Sequence, residues 1–180
     1  MPMWIALLRG INVGGQRIVK MEDLRASFEA LGFQRVKTYV QSGNVTFDVV
    51  KAHSNNMSKS IEGKIKGDCG FPVLVVLRTL DEMKKIVRDN PFFNERGIDY
   101  SKLHVTFLSA LPTKTAWGNL DALNAHPDQF RAKDQEVYLY CPDGYGRTKL
   151  SNTALEKLLW VKATTRNWKT VNKLAEMSSE

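Results

Sequence analysis

The sequence predicts an α+β fold of antiparallel sheets with helices on one face, and three observations predict it. Strand and helix patterns alternate as βαββαβ over the first half and as βαββα over the second. Short turn signals join neighbouring strand patterns, which makes those pairs antiparallel hairpins. A continuous apolar run at residues 73–77, after Pro72, suits a strand buried on both faces inside a sheet. The βαββαβ order is that of a ferredoxin-like half, and the second half reads as a related βαββα unit. The expected division is a ferredoxin-like subdomain over residues 1–90, a connection at 91–101, and a second α+β subdomain with a C-terminal helix over 102–180.

Residues 4–8 form the first expected strand, and a glycine-rich loop carries the chain to a helix whose Met21, Leu24, Phe28 and Leu31 share one face. Gly32 ends that helix. Strands at 35–41 and 45–50 flank Ser42-Gly43-Asn44, a turn composition. Met57, Ile61 and Ile65 mark a second helix, capped by Ser54 or Asn55 and weakened by Gly63. Thr79 and Glu82 have capping-box spacing for a helix through Leu80, Met83 and Val87, which Asn90-Pro91 closes. The second half follows with a strand at 103–108, a helix near 116–125, and a hairpin of 128–132 with 137–140. Ser151 then caps a helix bearing Leu155, Leu158 and Leu159. A last helix is expected from about Arg166 to Met177, capped by Thr164 or Thr165, with Trp168, Val171, Leu174 and Ala175 as its apolar face.

At 180 residues, with 43% hydrophobic and 25% charged, the chain has the composition of a soluble globular protein. No apolar run approaches the roughly 20 residues of a membrane span, so no membrane partner is expected. Met1-Pro2-Met3-Trp4 enters a strand pattern without a charged leader and cleavage site, so the expected location is cytoplasmic. Cys69 and Cys141 are far apart and read as reduced thiols. His53, His104 and His126 lack metal-ligand spacing; no metal and no cofactor are expected.

The net charge of +7 is unevenly placed. Residues 1–21 carry Arg9, Arg17 and Lys20 with no acid, and residues 143–173 carry Arg147, Lys149, Lys157, Lys162, Arg166, Lys169 and Lys173 against Asp143 and Glu156. The first cluster sits in Leu8-Arg9-Gly10-Ile11-Asn12-Val13-Gly14-Gly15-Gln16-Arg17, between a strand and a helix. Glycine reaches positive φ without strain and lets backbone N–H groups converge on an anion. The spacing is not GxGxxG, and Gln16 and Arg17 replace the lysine and hydroxyl of a P-loop. A looser anion cradle remains, with Arg9 or Arg17 supplying charge and Asn12 a directional amide, beside the alternative of a plain tight connection.

Gln41 and Asn44 offer amides at the shoulders of the second turn, whereas Ser42 lacks the GxSxG elbow of a nucleophile. Asp143-Gly144-Tyr145-Gly146-Arg147-Thr148-Lys149 is a third basic glycine loop. Arg166 and Asn167 open the final expected helix, whose free N–H groups and dipole favour an anion. The candidate ligand-binding set is therefore Arg9, Gly10, Asn12, Gly14, Gly15, Arg17, Gln41, Asn44, Arg147, Lys149, Arg166 and Asn167. No catalytic residue is assigned.

Ala6-Leu7-Leu8-Arg9-Gly10-Ile11-Asn12-Val13-Gly14-Gly15, Thr38-Tyr39-Val40-Gln41-Ser42-Gly43-Asn44-Val45 and Thr164-Thr165-Arg166-Asn167-Trp168-Lys169-Thr170 occur in this order. Together they resemble a family of uncharacterised bacterial proteins known only as a domain of unknown function. The resemblance implies a small cytoplasmic protein with a ferredoxin-like first half and a related second half, and it implies no activity.

The charge placement favours binding of a phosphate-rich ligand, nucleic acid or nucleotide, at a basic cleft. Tyr39, Phe47, Tyr138 and Tyr140 would stack bases if they lay on an open sheet face, although no RNP-like motif is present. The alternative is an enzyme acting on a small phosphorylated or anionic substrate, which would need a deep pocket enclosing Asn12, Gln41 and Arg166. A protein-interaction module would instead expose an apolar patch.

Overall fold

A computed structural model describes residues 2–50 and 56–177. Contacts divide the chain into two units, one running to Lys85 and taking up the chain again from Leu174, the other covering Ile86–Lys173. Each unit holds one four-stranded antiparallel sheet.

The first unit is built from β1 (Met3–Leu8), α1 (Met21–Ala30), β2 (Gln34–Tyr39), β3 (Asn44–Asp48), α2 (Met57–Cys69) and β4 (Val75–Thr79), with α3 (Leu80–Arg88) following. The strand order β2-β3-β1-β4 is the ferredoxin-like one. Period-two alternation sends Ala6 and Leu8 of β1 and Val45 and Phe47 of β3 to one face. There they join Leu24 and Phe28 of α1 and Ile61 and Ile65 of α2 in one apolar cluster. Phe28, Phe33 and Phe47 fix its centre, with ring centroids 4.6 Å apart for Phe33 and Phe47 and 5.2 Å for Phe28 and Phe47. Gly32, with φ 85, turns the chain out of α1 as expected. The α2 N-cap is Asn56, which makes no side-chain cap bond; Ser54 and Asn55 lie outside the described residues. The capping box is present: Glu82 accepts from the Thr79 N–H at 2.7 Å, and the Glu82 N–H donates to Thr79 Oγ1 at 3.2 Å.

The second unit runs β5 (Leu103–Leu108), α4 (Lys114–Asp121), β6 (Gln129–Lys133), β7 (Glu136–Tyr140), α5 (Asn152–Leu159), β8 (Ala163–Asn167) and the start of α6 (Trp168–Met177), whose residues from Leu174 are counted with the first unit. Its order, β6-β7-β5-β8, repeats that of the first unit strand for strand. Leu108, Val137, Leu139 and Ala163 of the sheet pack with Leu120 of α4 and Leu155 and Leu159 of α5. Two short 3-10 helices, Pro91–Asn94 and Tyr100–Lys102, lie between α3 and β5.

The second half is thus βαββαβ followed by a helix, and the sequence reading corrected here is the one at its end. Residues 163–167 are a strand paired with β5 from His104↔Asn167 to Leu108↔Ala163. The β-branched Thr164 and Thr165 sit in that strand rather than capping a helix, because pairing with β5 satisfies their backbone. The helix begins at Trp168, where Asn167 Oδ1 accepts from the Thr170 N–H at 2.8 Å.

Candidate functional site

In the first unit the loop between β1 and α1 is a small hairpin. Asn12 N–H donates to the Arg17 carbonyl at 3.1 Å, Gln16 N–H to Val13 at 3.0 Å, and Val13 bridges Gln16. Gly14 and Gly15 form its tip with φ 59 and 72, the sign pattern of a type I′ turn, which L-residues with a Cβ rarely adopt. Asn12 fastens the base of the arm. Its Nδ2 donates to the carbonyls of Val19 and Gln41 at 3.0 and 2.8 Å, and its Oδ1 accepts from the Val19 N–H at 2.8 Å.

Two of the sequence motifs therefore meet. Leu8 N–H donates to the Gly43 carbonyl at 2.8 Å, and a Cβ on Gly43 would stand 2.6 Å from Ile11 Cδ1 and 2.9 Å from Leu8 Cβ. Only glycine fits there, for space as well as for its φ of 87. Asn44 is buried, donating to the Tyr39 carbonyl at 2.8 Å and to Ser42 Oγ at 3.1 Å. Arg17 is exposed, yet its guanidinium donates to the Pro72 carbonyl and lies 5.2 Å from the Phe71 ring centroid. Gly10, Gly14, Gly15 and Gln41 are exposed, and Arg9 is half-buried with its N–H donating to the Leu74 carbonyl at 3.0 Å. The amides of Asn12 and Asn44 are thus spent on backbone and turn.

In the second unit the remaining candidates gather at one end of the sheet. β7 ends opposite Leu103 and β8 ends opposite His104, so the segments that follow both strands leave at the start of β5. The first carries Arg147 and Lys149, Asn167 ends β8 and Lys169 follows it, and all four are exposed. Tyr145 stacks on the His104 ring at 4.9 Å and 25°, drawing the loop against β5. Burial lowers the His104 imidazole below its ordinary value, and its buried Nδ1 has no hydrogen-bond partner among the described residues. Beside it Thr106 Oγ1 lies 2.7 Å from Thr165 Oγ1, which donates to Asn152 Oδ1 at 2.7 Å.

Arg166 differs from its neighbours. It lies within β8, is 7% exposed, and donates to Thr164 Oγ1 at 2.9 Å and to the Thr165 carbonyl at 3.0 Å. Burial pushes its guanidinium down to about 10. It is a strand arginine, not part of a helix N-terminus. Phe47 and Tyr138 are 0% and 2% exposed, so neither presents a face for stacking. Both belong to the packed interior.

Two features escaped sequence reasoning. The His104–Tyr145 stack joins residues 41 positions apart, and nothing in their local pattern signals it. Trp160 is 63% exposed in a left-handed conformation with φ 58, and its signal was visible in principle as a bulky residue where a helix ends and glycine is expected.

No curated protein sequence matches the chain. In structure the chain is similar to conserved bacterial protein SP0830 from Streptococcus pneumoniae, with a TM-score of 0.81 at 21% identity over 100% of this chain and 99% of that one. At that identity the likeness concerns the fold. The family described as "Protein of unknown function (DUF1697)" matches residues 1–138, the stretch that contains both meeting motifs, and the chain belongs to that family.

Proposed function

We propose that the protein binds a phosphate-rich ligand, nucleic acid or nucleotide, through the basic loops that its sheets hold at their ends. One observation carries the reading. Arg147, Lys149, Lys157, Lys162 and Lys169 of the second unit are exposed, and among the described residues none of the five forms an ion pair. Solvated cations without an ion-pair partner, in loops (Arg147, Lys149, Lys162) and on helices (Lys157, Lys169), can meet an incoming phosphate without first giving up a partner. Arg147, Lys149, Lys169 and the Asn167 cap share one end of the sheet, which supports a local phosphate contact there. In the first unit the exposed glycine arm and Gln41 are the corresponding candidates, with Arg9 and Arg17 supplying charge at its base.

The test is fluorescence anisotropy of a labelled oligonucleotide against salt. Affinity falls linearly on a log–log plot, and Arg147→Ala or Lys149→Ala reduces the slope by about one each. A flat salt response overturns the reading. Saturation by a mononucleotide with no oligonucleotide binding selects the alternative, an enzyme for a small phosphorylated or anionic substrate.

A further inference from the structure

We infer that Trp160 is a base-stacking platform and that the phosphate-rich ligand is a single-stranded nucleic acid, an inference that rests on the phosphate reading above. Trp160 closes α5 with φ 58 and ψ 27, its N–H donating to the Glu156 carbonyl at 2.9 Å. The first unit has the same cap at the same place: Gly70 closes α2 with φ 83 and ψ 6, its N–H donating to Lys66 at 2.9 Å. The geometry asks for glycine, and an indole there holds the backbone in a region that side chains avoid. The residue is 63% exposed, so core burial is a poor account of an indole in that conformation.

The neighbouring residues supply charge. Lys157 and Lys162 flank it, both exposed and without an ion pair among the described residues. Ser109 N–H donates to the Lys162 carbonyl at 2.8 Å and the Lys162 N–H donates to Ser109 Oγ at 3.0 Å. The two bonds pin the 160–162 turn to the loop that leads into α4, where Lys114 is also exposed. An exposed aromatic ring on a pinned turn, with exposed lysines three residues before and two after it in sequence, suits a nucleobase and its adjoining phosphates. A duplex keeps its bases stacked inside, so the platform selects single strands.

The experiment measures affinity of the full chain, wild type, Trp160→Gly and Trp160→Phe, for a single-stranded oligothymidylate, a duplex and inorganic polyphosphate, together with Tm. Trp160→Gly weakens single-strand binding roughly 5- to 100-fold, Trp160→Phe falls between, polyphosphate affinity is unchanged, and Tm of the glycine variant is equal or higher. Unchanged oligothymidylate affinity in Trp160→Gly, with polyphosphate still bound, overturns the platform and leaves the phosphate reading standing. A lowered Tm with parallel loss of every ligand assigns Trp160 to packing and overturns it too. Binding of neither ligand by the wild type overturns both.

Discussion

The two halves of this chain differ least where they are most buried. Leu8 N–H meets Gly43 at 2.8 Å and Leu108 N–H meets Gln135 at 3.0 Å; one residue on, Arg9 meets Leu74 at 3.0 Å and Ser109 meets Lys162 at 2.8 Å. Ile5 faces Arg78 as Val105 faces Arg166, and both arginines are buried. Thr79 and Asn167 cap the helices that follow. The scaffold is therefore the same object twice, down to individual hydrogen bonds. What changes is the connection after the first strand of each sheet, a long glycine arm at residues 9–20 in one half and a short loop at 109–113 in the other. Other changes are the β2–β3 turn, the basic loop after β7, and the residue that caps the second helix. These connections hold most of the candidate residues, although Gly43 and Asn12 within them are tied to the packing beneath.

The largest effect expected from breaking this correspondence is at Gly43. Gly43→Ala places a methyl against Ile11 and the Leu8 Cβ, and we expect a loss of about 2–4 kcal/mol in urea unfolding. Its counterpart Gln135 already carries a side chain, so Gln135→Ala costs under about 1 kcal/mol. Asn12→Ala removes three hydrogen bonds at the base of the arm and costs about 2–3 kcal/mol, measured the same way. An Asn12→Ala protein as stable as wild type would show that the arm is not fastened there.

The helix caps give effects of opposite sign. Gly70→Ala destabilises by about 1 kcal/mol, because alanine has to hold φ 83, whereas Trp160→Gly stabilises by a similar amount. Equal signs in thermal melts would break the correspondence between the two caps. The smallest effect concerns pH. His104 occupies the place of Trp4 in the first half, opposite Asn167 as Trp4 is opposite Thr79. Burial holds its folded value below the ordinary 6.5, so the folded state binds fewer protons than the unfolded one. Its contribution is complete above pH 6.5 and is lost as pH falls through that value toward the lower folded one. His104→Phe should flatten that part of the stability profile.

Much of the scaffold was legible because it follows from local periodicity. The 103–108 strand coincides with β5, the Thr79 and Glu82 box is formed, and Ser151 accepts from Ala154 N–H at 3.2 Å as a cap. β8 was not legible, since Ala163-Thr164-Thr165-Arg166-Asn167 is short, polar and next to a helix, and only its pairing with β5 decides its state. The same holds for the candidate residues. Asn12 and Asn44 have side chains suited to a ligand, and the distances that commit them to Val19, Gln41 and Tyr39 exist only once β1 and β3 are paired. Exposed lysines were legible as charge, but their lack of ion pairs was not.

The glycine arm has a practical consequence. A Cβ built on Gly14 or Gly15 meets nothing within 4 Å, and both residues are exposed, while the arm's base is held at Asn12. A short peptide tag spliced between the two glycines would project into solvent and leave β1, α1 and the Asn12 bonds in place. The tip is thus a port through which a probe can be attached to the first unit, and because Gly14 and Gly15 are themselves binding candidates, a tag there also reports whether the arm takes part in binding.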